Sequence, residues 1–329
     1  MDSSSRPRRR RRARRSRRRA LVLLALALVT VGCGTAAGAM YMTSWAHPRA
    51  AEAVSSSASR ASGGEETAVD RDALLATAMG SVGVAEGAEV SVAVLDPDSG
   101  EGASYGEGVF DTASIVKVDV LAALLLQAQD AGRTLTAEER AYAAAMIENS
   151  DNDSTSALWR AIGTADGLDA ANERFGLTGT AGGDGPLWGL TRTTAADQIA
   201  LLRQVFDAEG SELDEASRAY ARELMERIAV GQRWGVSAAA DGAEWALKNG
   251  WLRRSTTGLW VINSIGRVTA GGRGYLVAVL SRGSATQEEG IALTEAAARA
   301  AVSVFTGDTG AAAGDAGDAG DAAGVQASS

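Results

Sequence analysis

Cysteine, histidine and lysine are nearly missing from this 329-residue chain, which holds Cys33, His47, Lys117 and Lys248 beside thirty arginines. Each scarcity excludes some chemistry. A lone cysteine inside an apolar N-terminal stretch leaves the rest of the chain without a disulfide, a thiol nucleophile or a cysteine metal site. A lone histidine just past that stretch excludes a Ser-His-Asp triad and a histidine-ligated metal. No metal and no cofactor is expected, and if the chain is an enzyme its base is a lysine, a carboxylate or a tyrosine. The lysine shortage points the same way. A coding bias toward arginine accounts for thirty positions, so a site that keeps lysine needs a cation that can lose its proton.

The N-terminus reads as an export segment. Residues 6–19 carry eleven arginines, and an uncharged run, ALVLLALALVTVGCGTAAGAMYM, follows from Ala20 to Met42. Three versions compete over residues 1–42: a signal peptide cleaved near Ala37 and Ala39, a retained membrane anchor through residues 20–42, and a lipoprotein signal at Cys33. All three place the remainder outside the cytoplasm, secreted or membrane-anchored. Removing residues 1–39 shifts the net charge from −9 to −19. So acidic a remainder argues against nucleic-acid partners, which need clustered positive charge, and leaves a small molecule as the expected partner of a monomer.

Residues 43–68, rich in Ser, Ala and Gly, read as a flexible linker, and residues 307–329 repeat Gly-Asp-Ala with nothing large to bury. The folded part is therefore 69–306. Within it, DRDALLATAM reads as a helix, and VSVAVLD (90–96) and the segment ending at Val109-Phe110 read as strands about an Asp-Pro-Asp-Ser-Gly turn. A nearly all-apolar helix runs from Val116 to Ala128, and residues 137–230 are helical in pattern. Strands return at WALK, GLWVINSIGRV and GYLVAVLSR before a closing helix, EEGIALTEAAARAAVSVF. The order predicts an α+β fold: an antiparallel sheet built from both chain ends, covered by the terminal helices, beside an all-helical insertion lobe.

Three short motifs carry candidate chemistry. In Ser114-Ile115-Val116-Lys117, one helical turn puts an amine on the same face as a hydroxyl, although Thr112 or Ser114 could equally be a plain N-cap. A cation in a first turn faces the positive end of the helix dipole, which would lower its pKa and stabilise an oxyanion. Ser150-Asp151-Asn152 reads as an inter-helix cap or as a hydroxyl and an amide facing the first motif. Lys248-Asn249-Gly250 reads as a hairpin turn between WALK and WLRR, or as a strand whose glycine admits a substrate backbone and whose ammonium binds a carboxylate. Singly each is weak. Together they stand in order on either side of the helical block and use every lysine in the chain.

That set resembles the serine β-lactamase and penicillin-binding protein superfamily, most closely class A β-lactamase-like serine hydrolases, over roughly residues 70–305. The resemblance implies Ser114 as the acylated nucleophile, Lys117 as base or proton relay, and Ser150 as shuttle to the leaving nitrogen. It implies Asn152, Lys248, Asn249, Gly250 and Trp251 at the substrate, with Lys248 at its carboxylate and the N–H groups of Ser114 and Trp251 as oxyanion hole. The substrate would be a β-lactam, a related D-amino-acid amide or a peptidoglycan-derived peptide. The alternatives are a D-alanyl-D-alanine peptidase-like penicillin-binding protein and a non-catalytic cell-wall binding module on the same fold.

Four departures from the class A pattern stand out. The Ser114–Ser150 segment is shorter, Asn249 replaces Thr or Ser, and Trp251 replaces a small residue. The loop glutamate that activates water for deacylation has no counterpart in GLTGTAGGDGPLWGLTRTT, whose one acid, Asp184, is the candidate replacement.

Overall fold

The computed structural model describes residues 69–242 and 244–307. The expected export segment, the linker and the tail beyond Gly307 lie outside the described residues. Helix α1 (Arg71–Met79) starts on the carboxylate of Asp70, which accepts from the N–H of Ala73. Strands β1 (Glu89–Leu95) and β2 (Gly102–Tyr105) form a hairpin around the Asp-Pro-Asp-Ser-Gly turn. The segment expected to continue as strand to Phe110 breaks instead. Gly106 and Gly108 both take positive φ, and only Phe110–Asp111 (β3) resumes, pairing with β4 (Arg192–Thr193) in a separate two-stranded ribbon.

The helical block follows: α2 (Val116–Asp130), α3 (Ala137–Glu148), α4 (Asn152–Ala161), α5 (Thr164–Phe175), α6 (Ala195–Phe206) and α7 (Glu215–Glu226). Helix α2 is its axis. It touches the other five, and twelve of its fifteen residues are buried, as its apolar sequence demands. Strands β5 (Trp245–Arg253), β6 (Trp260–Ala270) and β7 (Arg273–Ser284) then return, and α8 (Gln287–Thr306) closes the fold behind a capping box of Thr286 and Glu289. The sheet is antiparallel in the order β2-β1-β7-β6-β5.

Alternation along the central strand divides the core. Leu276, Ala278 and Leu280 face the helical lobe, with Ile115, Leu121 and Leu124 among the residues of that core. Val277 and Val279 face the other side, with Leu75 of α1 and Leu293, Ala297 and Ala301 of α8. The α+β architecture expected from the element order is the one found. The hairpin reading of Asn249-Gly250 is not: both lie mid-strand in β5, and the chain reverses later, where the N–H of Gly258 donates to Arg254 O at 2.7 Å with Gly258 at φ +72°. Strand β5 is thereby an edge strand, and it packs on the turn that precedes α2.

Candidate active site

Ser114 sits on a single 3₁₀ turn, Ala113–Ile115, that leads into α2. The preceding Ala113 has φ +49°, a conformation that costs an alanine free energy and persists only where its surroundings fix it. Two neighbours do so. Asn263, buried in β6, donates through Nδ2 to the carbonyls of Asp111 and Thr112, both at 2.9 Å, and its Oδ1 accepts the N–H of Ser281 at 3.0 Å. Gly250 lies so close that a Cβ there would stand 2.7 Å from Thr112 O and 2.8 Å from the backbone nitrogens of Ser114 and Ile115. The hydroxyl-bearing turn is thus pinned by the sheet edge, and Ser114 keeps 9% of its surface exposed.

Lys117, one turn into α2, is wholly buried. Its Nζ donates to Ser150 Oγ at 2.9 Å, to Ser150 O at 2.7 Å and to Asn152 Oδ1 at 2.9 Å, so the three ammonium hydrogens have three acceptors. The first and second motifs therefore meet in space. The connection between α3 and α4 is shaped for it: Ser150 has φ +58°, and Asp151 caps α4 by accepting the N–H of Ser154 at 2.7 Å. Burial pulls the Lys117 amine down to about 7, with the charge of Asp151 opposing it. An amine lowered this far can give up its proton near neutral pH, which arginine does not do. No hydrogen bond joins it to Ser114, so in this arrangement the serine meets its expected base only after the lysine leaves one of its present acceptors.

The third motif also lies at this place, with its side chains disposed differently from the expectation. Lys248 is fully buried, donates to Asn249 O at 3.0 Å, and is held well below the usual lysine range by burial and by the charge of Lys117. The Asn249 amide is turned away into the 230s loop, where Nδ2 donates to Gln232 O at 2.7 Å and Trp234 O at 2.9 Å. Trp251 stands beside Ser114 on a cleft of about 400 Å³ whose walls include Asn152, Trp188, Leu190 and Arg253. Its ring meets that of Trp234 edge-on, with centroids 6.1 Å apart.

Several residues that matter here were not among the sequence candidates. Trp188 lies over the Lys117 ammonium, 5.0 Å from Nζ to the ring centroid, and its Nε1 donates to Ser156 Oγ at 3.2 Å. Asn263 could have been flagged as a polar residue inside an apolar strand. Asp119, two residues past Lys117, is fully buried with neither oxygen hydrogen-bonded, and burial pushes its carboxyl up to about 7. Asp184, the candidate deacylating acid, is exposed on its turn, where its backbone carbonyl accepts from Leu187 N at 3.0 Å. Among the described residues it does not line the cleft, and none of those that do is an acid.

Comparison with known proteins bears on the fold and the family. Proteins that carry the name lipoprotein LppW, from Mycobacterium tuberculosis and Mycobacterium bovis, are 30% identical over 175 residues, 51% of this chain and 55% of theirs. The chain thus spans about half the length of those curated relatives. Among solved structures, a class A β-lactamase from Bacteroides cellulosilyticus superposes with a TM-score of 0.61 at 17% identity, over 72% of this chain and 99% of that one. The structure of PBP-A does so with a TM-score of 0.60 at 20% identity, over 71% and 96%. At these identities the likeness establishes the class A β-lactamase-like fold. The sequence model described as the Beta-lactamase enzyme family matches residues 126–305, more than half of the chain, and the protein belongs to that family.

Proposed function

We propose that the protein is an exported serine acyl-transfer enzyme, acylated at Ser114 by a β-lactam or a related D-amino-acid amide, that holds its acyl group for long periods. The observation that carries this reading is the buried Lys117 amine, poised near 7 and hydrogen-bonded to Ser150 Oγ and Asn152 Oδ1. In the proposed reaction Lys117, once neutral, takes the Ser114 hydroxyl proton as Oγ attacks the carbonyl carbon. The N–H groups of Ser114 and Trp251 receive the developing oxyanion, and Ser150 passes the proton to the leaving nitrogen. The C–N bond then breaks and the acyl group stays on Ser114.

Long life of the acyl-enzyme follows from what surrounds it. Among the described residues no acid lines the cleft to activate water, and the Trp188 indole covers Lys117. This favours the penicillin-binding, D-alanyl-D-alanine peptidase-like alternative over rapid β-lactam hydrolysis, and it gives Asp184 no part. The lipoprotein name of the relatives supports export, with Cys33 as the lipid-bearing anchor. The test pairs two measurements on the mature domain: turnover of a chromogenic cephalosporin, and intact mass after incubation with penicillin. A stable adduct with slow turnover supports the reading; fast turnover makes the protein an efficient lactamase, and no adduct with no turnover removes β-lactams as acyl donors.

A further inference from the structure

We infer that Ser156 is a latch: it holds the Trp188 indole over Lys117, and the latched ring keeps water from a base that would otherwise hydrolyse acyl-Ser114. This rests on the acyl-enzyme reading above and names the positioning residue that sets the acyl lifetime. Two tryptophans tie the segment 183–190 to α4, one from each side. Trp159, buried in α4, donates through Nε1 to Gly185 O at 2.8 Å, and Trp188 donates back through Nε1 to Ser156 Oγ at 3.2 Å. The segment is tightly folded between them: Leu187 N donates to Asp184 O at 3.0 Å and Gly183 N to Thr191 Oγ1 at 3.1 Å, and a Cβ on Gly183 would stand 2.1 Å from Leu187 O. The indole tie is the longest of these bonds, and both of its partners are half-buried.

Ser156 is fitted to accept. Its own hydroxyl hydrogen goes to Asn152 O at 2.9 Å, one turn back in α4, which leaves its oxygen for the indole N–H. Asn152 is also the residue whose Oδ1 accepts from Lys117 Nζ at 2.9 Å. Lys117, Asn152, Ser156 and Trp188 thus close a ring of contacts, completed by the 5.0 Å approach of Nζ to the indole centroid. The consequence lies in where the proton goes. In acylation the Ser114 proton passes through Lys117 and Ser150 to the leaving nitrogen, so Lys117 ends neutral and able to act again. Hydrolysis needs a water beside Nζ: the water oxygen bonds to the acyl carbon, one of its protons goes to Nζ, the bond from that carbon to Ser114 Oγ breaks, and the proton returns to Oγ. Lys117 has no exposed surface, since Ser150 and Asn152 take its hydrogens and the indole, a wall of the cleft, lies over it. With the ring held there, that water has no place.

The test follows the penicillin G adduct of the mature protein by intact mass, first as it forms and then, with free penicillin removed, as it is lost. Ser156→Ala should form the adduct at a rate within about twofold of the unaltered protein and lose it about three- to tenfold faster, on the scale of one hydrogen bond. Ser156→Thr keeps the acceptor and should restore the long lifetime. Trp188→Phe, a ring without the N–H, should shorten the lifetime to a similar degree, and adding it to Ser156→Ala should change nothing more, because both remove one contact. In Ser156→Ala the loss should quicken as pH rises through about 7, the value to which burial lowers Lys117, whose charged neighbours are Asp151 and Lys248.

A lifetime unchanged in Ser156→Ala overturns the inference, as does a Ser156→Thr that loses its adduct as fast as Ser156→Ala. Effects that multiply in the double variant, or a loss indifferent to pH, overturn it too. Each of these results leaves acylation of Ser114 standing. No adduct on the unaltered protein, or one shed within minutes, overturns the acyl-enzyme reading and this one with it.

Discussion

In the proposed reaction Lys117 is the residue on which the chemistry turns, because it combines a burial that disfavours its charge with three acceptors that hold it in place. As the amine's value is lowered to about 7, the neutral base fraction grows as pH rises through 7, so acylation of Ser114 should speed up with pH and level off above about 8. Lys117→Arg keeps the charge and removes the base; acylation followed by intact mass should slow by about 10³-fold or more and lose its inflection near pH 7. Trp188→Glu tests the long-lived acyl-enzyme. A carboxylate in place of the indole over Lys117 should speed deacylation by about 10- to 100-fold, read as the rate at which a penicillin adduct disappears, while the unaltered protein stays acylated.

Asp119 makes a different prediction at the same scale. Its carboxyl is raised to about 7 in the fold against an ordinary value of 3.8, so the folded state binds more protons than the unfolded one between those limits. Stability from this group is full below about pH 4 and is lost as pH climbs through 7. Asp119→Asn should flatten that slope and stabilise the protein by about 1–3 kcal/mol above pH 7, because it removes an unpaired buried charge. Urea midpoints at pH 5 and pH 8 check it.

Elements, rather than single side chains, hold the site together. Strand β5 presents its edge to the turn before α2, and only glycine at 250 allows the approach. Gly250→Ala would drive a methyl group to within 2.8 Å of backbone on three sides. The turn must shift, so the variant should lose about 1–3 kcal/mol of stability and acylate more slowly even though every reacting group remains. Much of this element was readable from sequence: the order of elements, the apolar axis of α2, and the two lysines that single out the first and third motifs. The Asn-Gly pair carried two readings because local turn preference and strand membership give the same dipeptide; which one holds depends on β6 lying alongside. The partners of Asn263 and Trp188 were illegible for a related reason. Each acts through contacts with residues distant in the chain, and nothing in its own neighbourhood announces the partner.

At the scale of the molecule, the sheet is closed by strands from both ends of the folded region, β1 beside β7, and α8 covers the face away from the helical lobe. The nucleophile turn, the Ser150 connection and β5 thus come from three separate stretches that meet only when the whole fold is complete. Ending the chain before Gln287 would uncover Leu293's partners in the second core, and such a truncation should lack cooperative thermal unfolding by circular dichroism. The same completeness makes the central claim directly measurable. Intact mass of the mature protein should be read after incubation with penicillin, over time and alongside Ser114→Ala. The account predicts the addition of one penicillin, persisting for hours and absent from Ser114→Ala; no addition, or an equal addition to Ser114→Ala, contradicts it.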